Sequence, residues 1–336
     1  MKHTNHLTLI GSLLLAVLMV GCASQPVVSI DQQAEVSQNP APGGVGGQVE
    51  TYTGSDAASL AYVAYTQPGA RTALVYLHGI ESHAGWFAIA AGQLQEQGFD
   101  VYCLDRRGSG LNRENRGLIS GHVDAYQTLL ADIDSFITPL HDRYDQVFLV
   151  GLSWGGKLAL AYGLSHPQAV DGLVLITPGL RAEVDVSVLN KLKIGLLSPL
   201  NPTARVPTPI QPEMFTTTPV YLGYIRNDPL RLRSATVRFF WQSHRLDTYV
   251  DRNIADNRLP VQLFLAGNDT IIDNDGVLQV LEQGREPGLD VLWYTDQTHS
   301  IQMDAPQRLV NDIADWIKRH ALNGSRGERR PLDTRY

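Results

Sequence analysis

Cysteine is almost missing: the 336-residue chain carries two, Cys22 and Cys103. Cys22 closes an N-terminal apolar leader, which leaves Cys103 alone and excludes an intramolecular disulfide in the remainder. Cys103 lies in a strand-like stretch, Phe99 to Leu104, and reads as an inert buried thiol. Metal-binding patterns are lacking as well. There is no Cys/His cluster and no H-E-x-x-H, and no G-x-G-x-x-G follows the first strand of a βαβ unit. The expectation is therefore hydrolytic chemistry without a cofactor or metal. A formal charge of −7, with no block of one sign, leaves no footprint of a nucleic-acid binder. Repeats and heptads are absent, and the length fits one large domain or two small ones with ample sequence for a core.

The apolar run Leu7 to Val20, preceded by Lys2, is too short to span a bilayer as a permanent helix and reads as a targeting segment. It ends in Met19-Val20-Gly21-Cys22, which resembles a bacterial lipobox with Met where Leu is usual. The resemblance implies that residues 1–21 are a signal peptide and that Cys22 is diacylated and becomes the new N-terminus. More than one acyl chain anchors durably, whereas one alone binds marginally. Plain secretion with cleavage after Ala23 is the alternative. Ala23 following the cysteine resembles lipoproteins sent to the outer membrane, so the expected location is the bacterial cell envelope, facing the periplasm. Residues 22–47, rich in Gln, Ser, Pro, Ala and Gly, read as a flexible tether, and residues 323–336 as a frayed tail.

Between these ends, strand and helix signals alternate. Gln48 to Thr53 and Leu60 to Thr66 suggest a leading antiparallel hairpin. Thr72 to Leu77, Phe99 to Leu104, Asp145 to Val150 and Val170 to Thr177 are short apolar strands. Helices are expected over Ala84 to Gln97, from Val123 to Leu140, and after Ser153. Such alternation argues an α/β fold with a mostly parallel sheet covered on both faces. It stops at about Leu180 and resumes with Val261 to Ala266 and Val291 to Tyr294, so residues 180–258, with their many prolines, read as an inserted helical cap. A final amphipathic helix carries Leu309, Ile313, Trp316 and His320 on one side.

The chemistry gathers around Gly151-Leu152-Ser153-Trp154-Gly155-Gly156, placed between a strand and a helix. Strand, G-x-S-x-G, helix is the setting of a nucleophile elbow, whose serine sits on a sharp turn above the sheet. A serine needs a base, and the base needs an orienting acid. Asp269 follows the strand ending at Ala266, and His299 follows the strand ending at Tyr294, giving the order Ser153, Asp269, His299. Asp273 and Asp275 compete with Asp269 but lie further along the loop, where capping of the next helix is expected; a slip to Asp273 stays open. The oxyanion needs two N–H donors; the amides of Trp154 and Ile80 are the candidates. His78 is expected to brace the Ile80 loop, and Asp105 and Arg106 to form a loop-stabilising salt bridge.

His78-Gly79-Ile80-Glu81-Ser82-His83, Asp105 through Gly110, Gly151 through Gly156, Asn227-Asp228-Pro229-Leu230, Gly267-Asn268-Asp269 and Thr298-His299-Ser300 together resemble an α/β-hydrolase over residues 48–322. The similarity is to the lysophospholipase and monoacylglycerol lipase group, grouped with the serine aminopeptidases. It implies Ser153, Asp269 and His299 as the triad and a lysophospholipid- or monoacylglycerol-like ester as substrate. Ser153-Trp154-Gly155 also resembles proline iminopeptidases, although these carry His-Gly-Gly-Pro-Gly where His78-Gly79-Ile80-Glu81-Ser82 stands here. An aminopeptidase would need Glu213, Asp228 or Asp247 to grip an ammonium. The third expectation is a non-catalytic scaffold. The oligomeric state is not readable from the sequence. Apolar cap residues Leu196, Leu197, Met214, Phe215, Phe239, Phe240 and Trp241 are expected either to line an acyl tunnel or to pack the cap.

Overall fold

The computed structural model describes residues 39–284 and 288–324; the leader with Cys22 and the tail after residue 324 lie outside them. Strand formation follows from apolar runs that can be buried on both faces. In β3 (Thr72–Leu77), Ala73, Val75 and Leu77 join one core while Leu74 and Tyr76 join the other. In β5 (Gln146–Leu152), Val147 and Leu149 face the first core, and Phe148, Val150 and Leu152 the second. This period of two, with no polar side, is the mark of a central strand covered by helices.

The sheet has eight strands in the order β1-β2-β4-β3-β5-β6-β9-β10. The remaining members are β1 (Gln48–Thr53), β2 (Ser59–Tyr65), β4 (Asp100–Leu104), β6 (Gly172–Ile176), β9 (Val261–Ala266) and β10 (Leu289–Tyr294). The expected leading hairpin is present: β1 pairs antiparallel with β2, which lies antiparallel to β4, and all other neighbours run parallel. Because β4 and β5 flank β3 on opposite sides, the chain turns in opposite directions after β3 and β5. A crevice opens at the carboxyl ends of such strands, and it is there that ligands bind in this class of sheet.

Helices α1 (Ala88–Glu96), α2 (Tyr126–Ile137) and α3 (Trp154–Ser165) connect the early strands. The first is shorter than the sequence suggests, because Ala84–Phe87 form a tighter 3₁₀ turn. There His83 accepts from the Gly85 amide, and Asp105 from the Ala84 amide. The second ends in a 3₁₀ turn over Thr138–Asp142, where Pro139 cannot supply the N–H that an α-helix needs. Between β6 and β9 the cap holds α4 (Val188–Leu200), α5 (Pro212–Phe215), α6 (Pro219–Asn227) and α7 (Val237–Asn253). A small antiparallel pair, β7 (Arg205–Pro207) with β8 (Ser234–Thr236), stitches the cap internally. After β9 come α8 (Asn274–Leu281), then α9 (Ile301–Asp304) and α10 (Pro306–Gly324) beyond β10.

The expected tether ends earlier than Gly47. Ala41 is 1% exposed and donates to the Gly85 carbonyl at 2.9 Å. Asn39 donates to Asp228 at 2.8 Å, and the Tyr224 hydroxyl donates to the Asn39 carbonyl at 2.6 Å. The polar, glycine-rich composition that looks like a linker also suits a strap laid over other backbone, where Gly44 leaves no room for a Cβ beside Ala88. Among the described residues, both main cores fall between Ala41 and Ile317. Cys103 is buried in the second core, which pushes its thiol pKa up, as an inert thiol requires. Among the described residues no helix is long and apolar enough to cross a membrane.

Candidate active site

Ser153 stands between β5 and α3 at φ 54° and ψ −124°, a conformation that costs energy for any residue with a side chain. Close packing around the turn imposes it. A Cβ on Gly155 would lie 2.1 Å from the Leu77 carbonyl oxygen, so α3 starts directly against the end of β3. The Ser153 amide donates to Ile176 at 3.0 Å, and its carbonyl accepts from Gly179 at 2.7 Å. The turn is thus held from both sides, and Ser153 is 5% exposed. This is the elbow expected from the sequence.

Asp269 and His299, 30 residues apart, meet: the imidazole Nδ1 lies 2.7 Å from Asp269 Oδ2, and both side chains are buried. Oδ1 of the same carboxylate accepts from the amides of Ile271 and Ile272 at 2.8 and 3.1 Å. With one oxygen fixed by backbone, the other can only orient the ring. Asp273 instead caps α8 by accepting from Gly276, which answers the slip left open by the sequence. The remaining ring nitrogen, His299 Nε2, is buried and has no hydrogen-bond partner among the described residues. A buried polar atom without a partner is costly and points to use in chemistry. Thr177 was not legible as a site residue. It follows β6 at φ 40°, unusual for a β-branched residue, and its hydroxyl donates to the His299 carbonyl at 3.1 Å. Since Ile176 holds the Ser153 amide, one short segment braces both residues.

The loop after β3 passes beside the elbow: a Cβ on Gly79 would sit 3.3 Å from Ser153 Cβ. Ile80 is next, and its amide donates to no acceptor among the described residues. Trp154 is the first residue of α3, so its amide has no intrahelical acceptor either. The amides of Trp154, next to Ser153 in the chain, and of Ile80, next to Gly79, are thus both without an acceptor among the described residues. Arg106, expected to pair with Asp105, has a different task. It donates to the carbonyls of Gly79 at 2.6 Å and Ile80 at 2.5 Å, and its guanidinium lies 5.0 Å from the Trp154 ring centre. Asp105 accepts from Ala84 and Leu111. His78 braces the loop as expected; burial and then the Arg106 charge push its pKa well down. Holding the loop by its carbonyls leaves its amides unclaimed.

Two buried ion pairs join this loop to the cap. Arg231 donates to Glu81 at 2.6 Å, and His83 Nε2 lies 3.0 Å from Asp228, which also accepts from Trp86 and Leu230. Burial opposes the charge on His83, but the Asp228 carboxylate and its hydrogen bond outweigh it, so its pKa is raised. Burial likewise opposes the charge on Asp228, yet His83 and the other donors hold its pKa below the usual value. The His83 contribution to stability is fully present below about pH 6.5 and is lost as pH rises through its raised folded value. That of Asp228 is present above about pH 4 and is lost as pH falls through its depressed folded value. A melting series from pH 6 to pH 9 is expected to show a decline in Tm that His83→Gln weakens; an identical slope in the variant would exclude this linkage.

From the cap, Phe215 stands 5.9 Å from the His299 ring centre and Phe239 5.1 Å from that of Trp154. Met214 and Phe240 are partly buried, while Leu197 packs against a small cap core of Ile194, Val206 and Val237. Leu196 and Trp241 face solvent at 67% and 39% exposure, so they line no enclosed tunnel.

The family model described as serine aminopeptidase, S33, matches residues 68–306, which include Ile80, Ser153, Trp154, Asp269 and His299. The chain belongs to the serine aminopeptidase S33 family. It has the family's α/β-hydrolase fold. Among its relatives, monoglyceride lipase of Mus musculus is 24% identical over 262 residues, covering 75% of this chain and 85% of that protein. Phospholipase YtpA of Bacillus subtilis is 23% identical over 210 residues, 61% of this S33 chain and 79% of the relative. A soluble variant of monoglyceride lipase from Saccharomyces cerevisiae, solved with a substrate analog, superposes with a TM-score of 0.71 at 20% identity. That match covers 82% of this chain and 95% of the other, and it speaks for the fold.

Proposed function

We propose that the protein is a serine esterase acting on lipids with one acyl chain and a neutral head, of the monoacylglycerol kind. Ser153 Oγ attacks the acyl carbonyl while His299 Nε2 takes its proton, and the amides of Ile80 and Trp154 hold the oxyanion. His299 then passes the proton to the departing alcohol, leaving the acyl group on Ser153. Water, deprotonated by His299, attacks that acyl group; the fatty acid leaves and the proton returns to Ser153. Asp269 keeps the imidazole in the required tautomer. The observation that carries this reading is the buried Asp269–His299 pair with its second ring nitrogen unclaimed.

The family's description favours a second reading, an aminopeptidase. Against it stand the three acids that could grip an ammonium, each already engaged: Glu213 with Arg226, Asp228 with His83, and Asp247 with Lys157. Two of the cap arginines are likewise engaged, Arg226 by Glu213 and Arg231 by Glu81, so neither is free for the phosphate of a lysophospholipid. Arg233 donates to the Arg226 carbonyl, and Arg238 keeps a buried Nε without a partner among the described residues. The test is a substrate panel on the chain from Ala23 onward: p-nitrophenyl esters of rising length, a monoacylglycerol, a lysophospholipid and a prolyl anilide. Ester cleavage is expected to exceed anilide cleavage by about 10³-fold or more, with the monoacylglycerol preferred. Faster anilide cleavage would establish the peptidase instead.

The enzyme is further proposed to be held at the outer membrane, facing the periplasm, by acyl chains on Cys22. Cys22→Ser is expected to move it from the detergent-extracted membrane fraction to the soluble one; unchanged partition would reject that anchor.

A further inference from the structure

The cap carries an apolar surface that neither core uses. Helix α4 buries Ile194 and Ser198 against the rest of the cap. Its opposite face shows Val188, Leu189, Leu192, Leu196 and Leu200 at 73, 78, 59, 67 and 79% exposure. Their spacing of three and four residues gathers them into one stripe, and Gly195 and Pro199 on the same side add no polar group. A stripe of a few hundred Å² of continuous apolar surface is as large as the patches that serve binding on monomeric proteins.

We infer that this face of α4 docks the domain on a lipid bilayer. The helix contains no acidic residue, and its only charges are Lys191 and Lys193, on a chain whose net charge is −7. Lys193 is tied to the Arg205 carbonyl at 2.7 Å, while Lys191 pairs with Asp185 where both are more than half exposed, a pair worth little in water. An apolar stripe with cationic flanks and no acid suits an interfacial helix lying in the headgroup layer. The path of the chain supports the same occupant. Asn39 is fastened to Tyr224 and Asp228 of the cap, so the chain leading back to Cys22 leaves from the cap. Residues 23–38 between them can reach about 55 Å at most. An acylated Cys22 would then hold the cap at high effective concentration beside the bilayer, where even a weak face binds. A second copy of the chain fits less well, since a stable dimer buries about 800 Å² on each partner.

The docking does not rest on ester hydrolysis, and it is tested without the acyl anchor. The chain from Ala23 onward is floated with vesicles of phosphatidylcholine containing a minority of phosphatidylglycerol. The unaltered chain is expected to float, and the exposed substitutions Leu192→Asp and Leu196→Asp together are expected to cut the bound fraction about tenfold. Hydrolysis of soluble p-nitrophenyl acetate and the melting temperature should stay unchanged in the variant, which separates docking from folding and from catalysis. Equal flotation of both proteins, or none by either, would overturn the inference. So would a concentration-dependent dimer abolished by the same substitutions, which would make the stripe a contact between copies.

Discussion

Ser153→Ala is expected to lower kcat for ester hydrolysis by about 10⁴- to 10⁶-fold while leaving the melting temperature within a few degrees of the parent. The substitution removes the attacking oxygen but keeps the Cβ against which Gly79 packs and the backbone against which Gly179 packs. What survives would come from substrate binding and the free amides of Ile80 and Trp154, so the loss should stop short of the uncatalysed rate. His299→Ala should cost nearly as much, and the two losses should not add, because hydroxyl and base act as one unit. Independent, additive effects would mean that the two residues do not share a proton transfer.

The second large effect concerns stability. Arg231→Met is expected to destabilise the fold by about 3–5 kcal/mol, since it leaves Glu81, fully buried, without its cation. That corresponds to a fall in Tm of roughly 10 °C. Burial already raises the Glu81 pKa against the pull of Arg231, so without Arg231 the carboxyl should rise further and take up a proton more readily. The deficit should accordingly be smaller at pH 5 than at pH 8. Replacing both partners by apolar residues, Glu81→Leu with Arg231→Met, should recover most of the lost stability. Activity should not return with it, because Glu81 helps fasten the loop that carries the Ile80 amide. If kcat recovered together with Tm in the double variant, the pair would be a structural tie with no part in positioning that loop.

The sheet and the elbow were legible because their signals are local. A short apolar run rich in β-formers and bounded by turn residues, such as Thr72–Leu77, suits a strand buried on both sides, and Gly155 is needed here because α3 begins against the end of β3. The placement of Ser153, Asp269 and His299 just beyond strand ends could be read because strand ends are visible in sequence. Arg106, Thr177 and the pairs Glu81–Arg231 and His83–Asp228 were not legible in these roles, for a physical reason. Each acts through partners distant in the chain: Arg106 on backbone 26 and 27 residues away, Thr177 on a carbonyl 122 residues away, and Arg231 on an acid 150 residues away. The strap Asn39–Gly44 was hidden in another way. Its composition suits both a loose linker and a segment pressed onto backbone, and only the fold of Gly85 and Tyr224 around it decides between them. The cap was recognisable as an interruption, but which of its leucines face inward depends on how α4 is seated against Val206 and Val237.

The central claim is that the Ser153 hydroxyl is a nucleophile activated by His299. Peptide mapping by mass spectrometry after reaction with a fluorophosphonate probe tests it most directly. One adduct per chain on Ser153 is the expected result, formed at least a hundredfold more slowly in His299→Ala. An enzyme that hydrolyses esters with Ser153 unmodified, or whose labelling is indifferent to the imidazole, would contradict the account.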